Sequence, residues 1–516
     1  MHVKGRMKEL FDAFSRIGAR AFENPRLVSC LMLSKAPHYD HVLRRFLIQA
    51  PVRPVSFLQA FDFILRYYLK NLWQYLLLLA ARIALFSSGW KASPLSKGTS
   101  PSLVIDSFLL VPKVVERKRF TEVYLPGLAE EAEKQGWYPV YFFRFHGFSN
   151  PRILAKTFKI LLDHPVNALT DLHLFTFGDW LRLLWHVLAY PVAHWRLIRS
   201  LRDPGFESPE AYIRAALVHC LPTNFLTGEI RRIAGRRLGE KLDAKARIVS
   251  WHENRTGNKA FYLGLSEAEE KTGRHIPVTG AQLYTWPDAL LSSHPDDAEI
   301  PLRLTPDRVL VSGPYYMPSA STQKYAPGPS LRYQGLFEKI NGKPPAPGPE
   351  KPVLVLLTAH LVEVERVLTM VRDAKLAENP VFKFHSTTRV EDFHYLLPTA
   401  PSLASGSLYT ALEETSVVVG CGSPDLAEAA ALGVPVVAVE DITGIPGLDL
   451  NYLPEAGRGN LWQGVRRPED MPGAIAVLKE SLSDPERAAR VKAFRDLIFT
   501  EPTPGKIVEA FDLKRE

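Results

Sequence analysis

The sequence contains little cysteine. Its 516 residues include three cysteines, Cys30, Cys220 and Cys421, which stand far apart and lack the C-x-x-C spacing of a zinc site or redox pair. This usage favours a reducing cytoplasm. The N-terminus also lacks a short apolar segment followed by a small-residue cleavage site, so we expect no secretory signal.

Long apolar runs are also scarce. The stretch from Leu72 to Phe86 has about 15 residues and contains Arg82, which is short of the roughly 20 residues that span a bilayer. We therefore predict a buried or interfacial helix there. The stretch from Trp180 to Arg202 mixes Trp, Tyr and Arg with Leu and Val, as helices in a lipid headgroup layer do. The alternative is a pair of amphipathic helices that face a protein core.

The net charge of +8 is compatible with nucleic acid, anionic lipid or phosphorylated substrates, and by itself it selects none of them. The basic residues are dispersed, and no RNA-binding or DNA-binding motif is visible. We therefore expect no nucleic-acid partner and keep an anionic membrane surface as an expected partner.

Short apolar runs that end in polar residues or glycine alternate with helical patterns along most of the chain, which predicts parallel sheets. The predicted strands lie within 101–110, 137–145, 246–254, 275–282, 307–314, 351–360, 380–386, 415–423 and 434–440. A segment dense in Pro and Gly interrupts this alternation and is predicted as an interdomain linker.

This alternation predicts an α/β protein with two doubly wound Rossmann-like domains that face each other across a cleft. In such sheets, ligands bind at the carboxyl ends of the strands. The predicted units are a helical extension (1–98), a first domain (99–325) with a helical insertion (about 151–245), a linker (326–350) and a second domain with a terminal helix (351–516).

The strongest candidate site follows the strand at 415–423. Gly420, Gly422 and Ser423 form a turn before a predicted helix in which Pro424 occupies the first turn and Ser423 the N-cap. Backbone N–H groups at such a helix start bind phosphate. Glu428 lies one turn further and is placed to bind a ribose diol. The alternative is a plain serine cap and a solvated glutamate.

A family resemblance begins at this turn. The pattern G-S-x-x-x-x-E-A-x-x-x-G-x-P-V-V, from Gly422 to Val437, resembles the donor-binding motif of GT-B-fold glycosyltransferases and of their relative, the non-hydrolysing UDP-sugar 2-epimerase. The resemblance implies a GT-B fold, a nucleotide-sugar donor whose phosphate binds at Ser423, and a ribose that binds Glu428. The nucleotide sugar is a substrate, so no cofactor is expected.

The segment FKFHSTT resembles the Lys-x-His-Pro element of bacterial sialyltransferases, Kdo transferases of capsule synthesis and polyglycerol-phosphate transferases. The resemblance implies that Lys383 and His385 bind the donor phosphate or cytidine monophosphate, with His385 donating a hydrogen bond to the leaving group. The chain departs from the family at Ser386, where the family has proline. His385 as a structural histidine at a strand end is the alternative.

In the first domain, the segment from Ser250 to Leu265 resembles the Glu-Asn segment of bacterial surface-carbohydrate biosynthesis proteins, and VTGAQ resembles their Gly-x-Gln segment. A transfer that inverts the anomeric centre needs a base for the acceptor hydroxyl proton. We predict Glu253 as that base and His252 as the reserve. The other predicted acceptor-side residues are Asn254, Lys259 and Gln282. An acidic helix cap is the alternative for Glu253.

Two further expectations concern the cleft. Ser312 and Gly313 follow the last predicted strand of the first domain and are assigned to the donor side. A DxD metal motif is not evident, and helix dipoles with basic side chains can stabilise a leaving phosphate, so we expect no metal.

The leading hypothesis is a cytoplasmic glycosyltransferase, peripheral to the inner face of the membrane, that transfers a sugar to a surface polysaccharide or lipid-linked glycan. The preferred donor is CMP-Kdo or another CMP-sugar. The alternatives are a UDP-sugar transferase, an epimerase of the same fold and a non-catalytic glycan-binding or nucleotide-binding protein.

Overall fold

The computed structural model describes residues 3–22, 24, 40–51, 55–96, 99–147, 150–201, 208–222, 225–287, 289–445, 448 and 451–514. Cys30 lies outside these residues. The described chain contains two parallel β-sheets, each flanked by helices.

The first sheet has seven parallel strands in the order β3-β2-β1-β4-β5-β6-β7. Chain order reverses between β1 and β4, so the carboxyl ends of these strands are the expected ligand-binding edge. The strands are β1 (Ser102–Leu110), β2 (Tyr138–His146), β3 (Ala168–Thr170), β4 (Arg247–Trp251), β5 (Val278–Gln282), β6 (Arg308–Val311) and β7 (Lys324–Pro327).

The second sheet has six parallel strands in the order β10-β9-β8-β11-β12-β13, which is the same winding as that of the first. The prediction of an α/β protein with two doubly wound Rossmann-like sheets is confirmed. The strands are β8 (Val353–Leu357), β9 (Val381–Phe384), β10 (Ser402–Leu403), β11 (Val417–Gly420), β12 (Val436–Val439) and β13 (Trp462–Val465).

The helices surround these sheets. Among the described residues, three helices precede β1, and several more lie between β2 and β4. The helices of the first unit are α1 (Val3–Phe22), α2 (Leu43–Leu47), α3 (Phe57–Ser88), α4 (Val111–Arg117), α5 (Leu128–Lys134), α6 (Pro151–Asp163), α7 (Asp171–Leu174), α8 (Phe177–Ser200), α9 (Pro209–Cys220), α10 (Phe225–Lys241) and α11 (Thr256–Thr272).

The later helices precede the second sheet, connect its strands or follow it. The segment predicted as a linker contains α12. They are α12 (Gln334–Asn341), α13 (Leu361–Ala374), α14 (Leu408–Glu413), α15 (Pro424–Ala431), α16 (Met471–Glu480), α17 (Arg487–Ile498) and α18 (Pro504–Ala510).

The chain returns to the first unit after α17. Backbone hydrogen bonding joins Ser330 to Thr500, with the Ser330 N–H donating to the Thr500 carbonyl at 2.8 Å. Helix α18 then packs against α5, and the indole N–H of Trp137 donates to the Leu513 carbonyl at 2.8 Å. After α17 the chain therefore crosses from the second unit back to the first and holds the two units together. The sequence did not indicate this crossing.

Helix α3 is longer than the apolar run that predicted it. It has 32 residues, begins at a capping box formed by Ser56 and Gln59, and ends at Gly89 in the left-handed conformation. By length and composition it is the one helix among the described residues that could cross a membrane, and only 22% of its most apolar window is buried. The predicted shortfall against a membrane span was therefore wrong.

Helices α10 and α11 pack with their backbones almost in contact through glycines. A Cβ atom at Gly264 would lie 2.8 Å from the Arg236 nitrogen and inside contact distance of the Arg232 carbonyl. These two helices carry Arg231 and Asn258, which line the cavity described below, so their close packing positions the candidate site.

We expect Gly264→Ala to lower the free energy of unfolding by at least about 1–3 kcal/mol, because overpacking forces the two backbones apart. Denaturant unfolding measures this change. Gly473→Ala is the matched control, since nothing lies within 4 Å of a Cβ at that position in α16, and alanine favours a helix. Equal stability of the two variants would contradict the close packing.

Candidate functional site

The predicted turn after β11 has the local structure that the sequence indicated. Gly422 has φ +52°, and a Cβ there would lie 2.9 Å from Glu363 Oε2. Both features favour glycine. Ser423 is the N-cap of α15, and its Oγ accepts a hydrogen bond from the Asp425 N–H at 3.3 Å. The backbone therefore turns sharply and presents the start of α15 at the carboxyl end of β11. Gly420, which ends β11, packs against Leu356 and Leu426.

Glu428 is buried one turn into α15. Its Oε2 accepts a hydrogen bond from the Tyr409 hydroxyl at 2.5 Å, and its Oε1 has no hydrogen-bond partner in the described part of the chain. Burial, together with the nearby Asp425 carboxylate, raises the pKa of Glu428 to about 7. Tyr409 holds one oxygen in place and leaves the other for an incoming hydroxyl.

Basic residues gather around the start of α15. Lys383 donates from Nζ to the Gly406 carbonyl at 2.7 Å, and exposed His385 accepts the Thr387 N–H at Nδ1 at 3.3 Å. Burial raises the pKa of Asp425, and His385, Arg332 and Lys383 oppose that rise. Three basic residues from two segments therefore act on one helix start. Ser386, which replaces the family's proline, is exposed beside them.

Arg332 is the residue that the sequence analysis missed. It lies in a short turn (Leu331–Tyr333) within the segment predicted as a linker. Its guanidinium carbon is 5.7 Å from the Tyr124 ring centroid and 5.9 Å from that of Trp251. Solvent reaches this side chain, yet protein atoms surround the guanidinium, because it lies in the cleft between the two units.

The charge of Arg332 acts on both units. Burial lowers its pKa, but Tyr333, Tyr124, Glu428 and Glu253 outweigh that effect and leave the pKa raised. Within the described residues, its guanidinium has no hydrogen bond or ion pair. A cation in the cleft between two candidate carboxylates is placed to bind an anionic ligand.

The raised pKa of Glu428 predicts that nucleotide binding depends on pH. A ribose diol donates to a carboxylate, so Glu428 must lose its proton before it binds, and this loss costs affinity below the pKa of about 7. We expect nucleotide binding to tighten about tenfold between about pH 6 and pH 8. Calorimetric titration across this range measures it. In Glu428→Gln the dependence from this residue should vanish, leaving only titration of the nucleotide phosphate, and an unchanged slope would contradict the assignment.

A cavity of about 680 Å³ opens at the carboxyl ends of β1, β2 and β4, where the first sheet reverses its strand order. Helix α3 closes one side of it with Gln74, Leu77 and Leu78. Its walls are mainly apolar and its floor is polar, so it fits an amphipathic ligand. The polar side chains of the lining include Arg144, His146, Asp171, Arg231, Glu253 and Asn258.

Glu253 lines this cavity, just past the end of β4. The Trp251 indole N–H donates to its Oε1 at 2.9 Å, and the exposed Arg255 guanidinium lies 3.1 Å from its Oε2. Asn258 accepts the Glu253 N–H at 3.2 Å and donates to the Trp251 carbonyl at 2.8 Å. Trp251 and Asn258 therefore fix both the carboxylate and its backbone.

A buried charged network supports the cavity floor. Arg231 Nη2 lies 2.8 Å from Asp106 Oδ1, and Arg144 Nε lies 3.2 Å from the same oxygen. Arg231 also reaches Asp171 at 3.3 Å, where burial raises the carboxyl pKa to about 6 despite that guanidinium. Ser250 Oγ donates to Asp106 Oδ2 at 2.7 Å. The sequence signal that could have indicated this network is a charged residue inside an apolar strand, Asp106 in β1 and Arg144 in β2.

The other predicted acceptor-side residues do not line the cavity. His252 is buried, its Nδ1 is 3.0 Å from the Tyr262 hydroxyl, and burial with the nearby Lys259 charge lowers its pKa to about 3. It is therefore no reserve base. The remaining three fasten the segment 293–299: Asn254 donates to the His294 carbonyl, Gln282 donates to the Ser293 carbonyl, and Lys259 pairs with Glu299.

Ser312 and Gly313, which were predicted on the donor side, are packed inside the protein. Ser312 is fully buried, and a Cβ at Gly313 would lie 2.8 Å from the Leu497 carbonyl oxygen. The backbone at Gly313 therefore approaches the end of α17, where the chain crosses back to the first unit. The structure therefore gives Ser312 and Gly313 packing roles, Gly313 against α17, and not a place in the donor site.

Within the described part of the chain, neither the metal-ligating groups nor a cavity at the opposite edge of the first sheet offers a second candidate site. Among the described residues, no cluster of three or more His, Cys, Asp or Glu side chains could hold a metal ion. A cavity of about 430 Å³, lined by His275, Arg303 and Asp307 among others, lies where β5 and β6 begin. Ligands of doubly wound sheets bind at the opposite edge.

Neither a protein-family model nor a curated protein matches the chain. Similar solved structures include CalG4, the calicheamicin glycosyltransferase, with 14% identity over 80% of this chain and 98% of that chain, and a TM-score of 0.42. The spinosyn rhamnosyltransferase SpnG, complexed with thymidine diphosphate, has 14% identity over 80% and 100% of the two chains and a TM-score of 0.39.

A glycosyltransferase from Rickettsia africae has 9% identity over 81% of this chain and 100% of that chain, with a TM-score of 0.40. At these identities and TM-scores, the likeness carries no argument about activity or substrate.

Proposed function

We propose that this protein is a glycosyltransferase that moves a sugar from a nucleotide-activated donor to a glycan or lipid-linked acceptor. The observation that carries the proposal is the placement of Arg332 in the cleft, where its charge acts on Glu428 of one unit and Glu253 of the other. A donor phosphate bound beside Arg332 would lie between a ribose-binding carboxylate and a candidate base.

The donor would bind the second unit. Its phosphate would meet the N–H groups at the start of α15, with Lys383, His385 and Arg332 around it, and its ribose would bind Glu428. These groups favour the charge that develops on the leaving nucleotide, without requiring a metal ion.

The acceptor would bind the 680 Å³ cavity beside Glu253. The Glu253 carboxylate would take the proton of the acceptor hydroxyl as its oxygen bonds to the anomeric carbon. The bond from that carbon to the phosphate oxygen breaks, and the nucleotide leaves with the electron pair. His385, whose Nδ1 accepts the Thr387 N–H, would present Nε2–H to that oxygen.

The finer proposal is a CMP-sugar donor, with CMP-Kdo as the first choice. The support for it is the Lys383-x-His385 pair beside the start of α15. A UDP-sugar transferase is the second candidate, since the same helix start and Glu428 would serve a diphosphate, and Arg332 adds a cation for the second phosphate. The cytoplasm, at the inner face of the membrane, is the proposed location.

Thermal-shift binding of CMP, CDP, UMP, UDP, GDP and ADP to the purified protein tests this proposal, because a ligand of the folded state raises apparent stability. Selective stabilisation by CMP supports a CMP-sugar donor. Selectivity for UDP supports the second candidate. If none of the nucleotides stabilises the protein, the transferase proposal fails and a non-catalytic binding protein takes its place.

A further inference from the structure

Two neighbouring helices of the first unit expose apolar side chains in regular stripes. In α8 the exposed positions recur every three or four residues, which places them on one face. They are Phe177, Leu181, Trp185, Leu188, Val192 and Trp195, each at least 40% exposed. In α3 a similar stripe contains Phe61, Leu65, Leu69, Trp73, Leu76 and Ile83, each at least 48% exposed.

The two helices lie side by side and run antiparallel. The Tyr67 hydroxyl donates to the Val187 carbonyl at 2.9 Å, and eight residues further along α3 the Tyr75 hydroxyl donates to the Trp180 carbonyl at 3.2 Å. The stripes therefore belong to one apolar surface, which we call the α3/α8 face. An exposed apolar surface of this size marks an interaction site.

We propose that the α3/α8 face docks on an anionic lipid bilayer and lies in its interface. Helix α3 is about 48 Å long at 1.5 Å per residue, whereas the hydrocarbon core is about 30 Å thick. Its opposite side is tied to the protein from Tyr67 to Arg82, which donates to the Leu172 carbonyl at 2.7 Å. A helix fastened along its length lies on a membrane rather than crossing it.

Charge favours a bilayer over a second copy of the chain. Lys70, Arg196 and Arg199 are exposed on the two helices. Their acidic residues are paired, Asp62 with Arg66 at 2.8 Å and buried Asp179 with Arg237 at 2.8 Å. Two copies joined through this face would bring like charges together, whereas anionic headgroups would neutralise them. Trp and Arg beside an apolar stripe are typical of interfacial helices.

Helix α3 connects the α3/α8 face to the candidate acceptor cavity, because it exposes the apolar stripe and also supplies Gln74, Leu77 and Leu78 to the cavity wall. Docking would therefore hold the cavity beside the bilayer. On the basis of the proposed transferase function, we infer that the acceptor is a bilayer-resident amphiphile. Its polar head reaches Glu253, and its apolar part follows the Leu-lined side of the cavity.

Co-sedimentation with phosphatidylcholine vesicles, with and without phosphatidylglycerol, tests the docking. We expect the protein to bind anionic vesicles. Leu69→Glu/Trp73→Glu and Leu181→Glu/Trp185→Glu should each weaken binding at least about tenfold, because each pair removes two large apolar side chains from the bilayer. Val477→Glu is the control, since Val477 is 47% exposed on α16 of the other unit.

All four proteins should keep the same melting temperature within error, because the substituted side chains are exposed. Absence of vesicle binding by the wild type, or equal binding by the variants, would overturn the docking. A dimer in sedimentation velocity that the same substitutions disperse, without vesicle binding, would also overturn it and assign the face to a second copy.

Nucleotide binding by the same preparations separates this proposal from the proposed function. Vesicle binding without nucleotide binding would contradict the proposed transferase function and would still support membrane docking. For the acceptor, a labelled nucleotide sugar of the selected base is incubated with vesicles made from a bacterial lipid extract. Label in the organic phase supports a bilayer-resident acceptor, and label confined to water-soluble products overturns it.

Discussion

Glu253→Gln is expected to lower the rate of sugar transfer by about 10²–10⁴-fold, because the amide cannot accept the acceptor hydroxyl proton. Glutamine keeps the size of the side chain and can still accept the Trp251 indole N–H that holds Oε1 at 2.9 Å. The fold and the nucleotide affinity should therefore be unchanged. Release of nucleotide from the donor in the presence of acceptor measures the effect.

Glu270→Gln is the matched control for that substitution, because Glu270 is an exposed carboxylate on α11 of the same unit. It should retain full activity. If Glu253→Gln transfers sugar at the wild-type rate, Glu253 is not the base. If it also loses nucleotide binding, the division of roles between the two units is wrong.

Arg332→Gln is expected to weaken binding of a nucleotide phosphate by about 10–100-fold, since a hydrogen bond to a charged group contributes about 1.5–3 kcal/mol. The corresponding nucleoside, which lacks the phosphate, should bind the variant and the wild type alike. Calorimetric titration with each ligand measures both effects.

Arg389→Gln serves as the control for Arg332, because Arg389 is exposed and lies outside the cleft residues described above. Equal loss of nucleoside and nucleotide binding in Arg332→Gln would show a general disruption of the site. Unchanged nucleotide binding would remove Arg332 from the donor site, and with it the observation that carries the proposed function.

The fold was predictable because its signals are local. Apolar β-branched runs such as Val417–Gly420 mark strands that are buried on both faces, and glycine and serine at 422 and 423 mark a turn into a helix. The strands that were missed are the short ones at β3, β7, β10 and β13. With three and two residues, β3 and β10 have too few positions for a pattern, and β7 (KYAP) and β13 (WQGV) lack a continuous apolar run.

The role of Arg332 could not be predicted, because it depends on contacts with residues that are far away in sequence. The surrounding Pro and Gly residues indicated a linker, and only the folded chain brings Tyr124, Glu253 and Glu428 around this side chain. The network of Asp106 and Arg144 was more accessible to sequence reasoning. A carboxylate in the run SLVIDSFLL and a guanidinium in YPVYFFRFH are conspicuous in buried strands.

The predicted acceptor-side residues have structural partners that the sequence does not indicate. The prediction for His252, Asn254 and Gln282 rests on the resemblance of their segments to the Glu-Asn and Gly-x-Gln segments of surface-carbohydrate biosynthesis proteins. The structure instead buries them against other elements, Asn254 and Gln282 against the segment 293–299, which is up to about 40 residues away along the chain. No local pattern distinguishes a polar residue that fastens a loop from one that meets a substrate.

The central claim is that the second unit binds the nucleotide while Glu253 in the first unit serves the chemistry. Calorimetric titration of the selected nucleotide into the wild type, Glu428→Ala and Glu253→Gln tests it most directly. The account predicts that Glu428→Ala weakens binding and that Glu253→Gln binds as tightly as the wild type. Equal loss of binding in both variants, or full binding in Glu428→Ala, would contradict it.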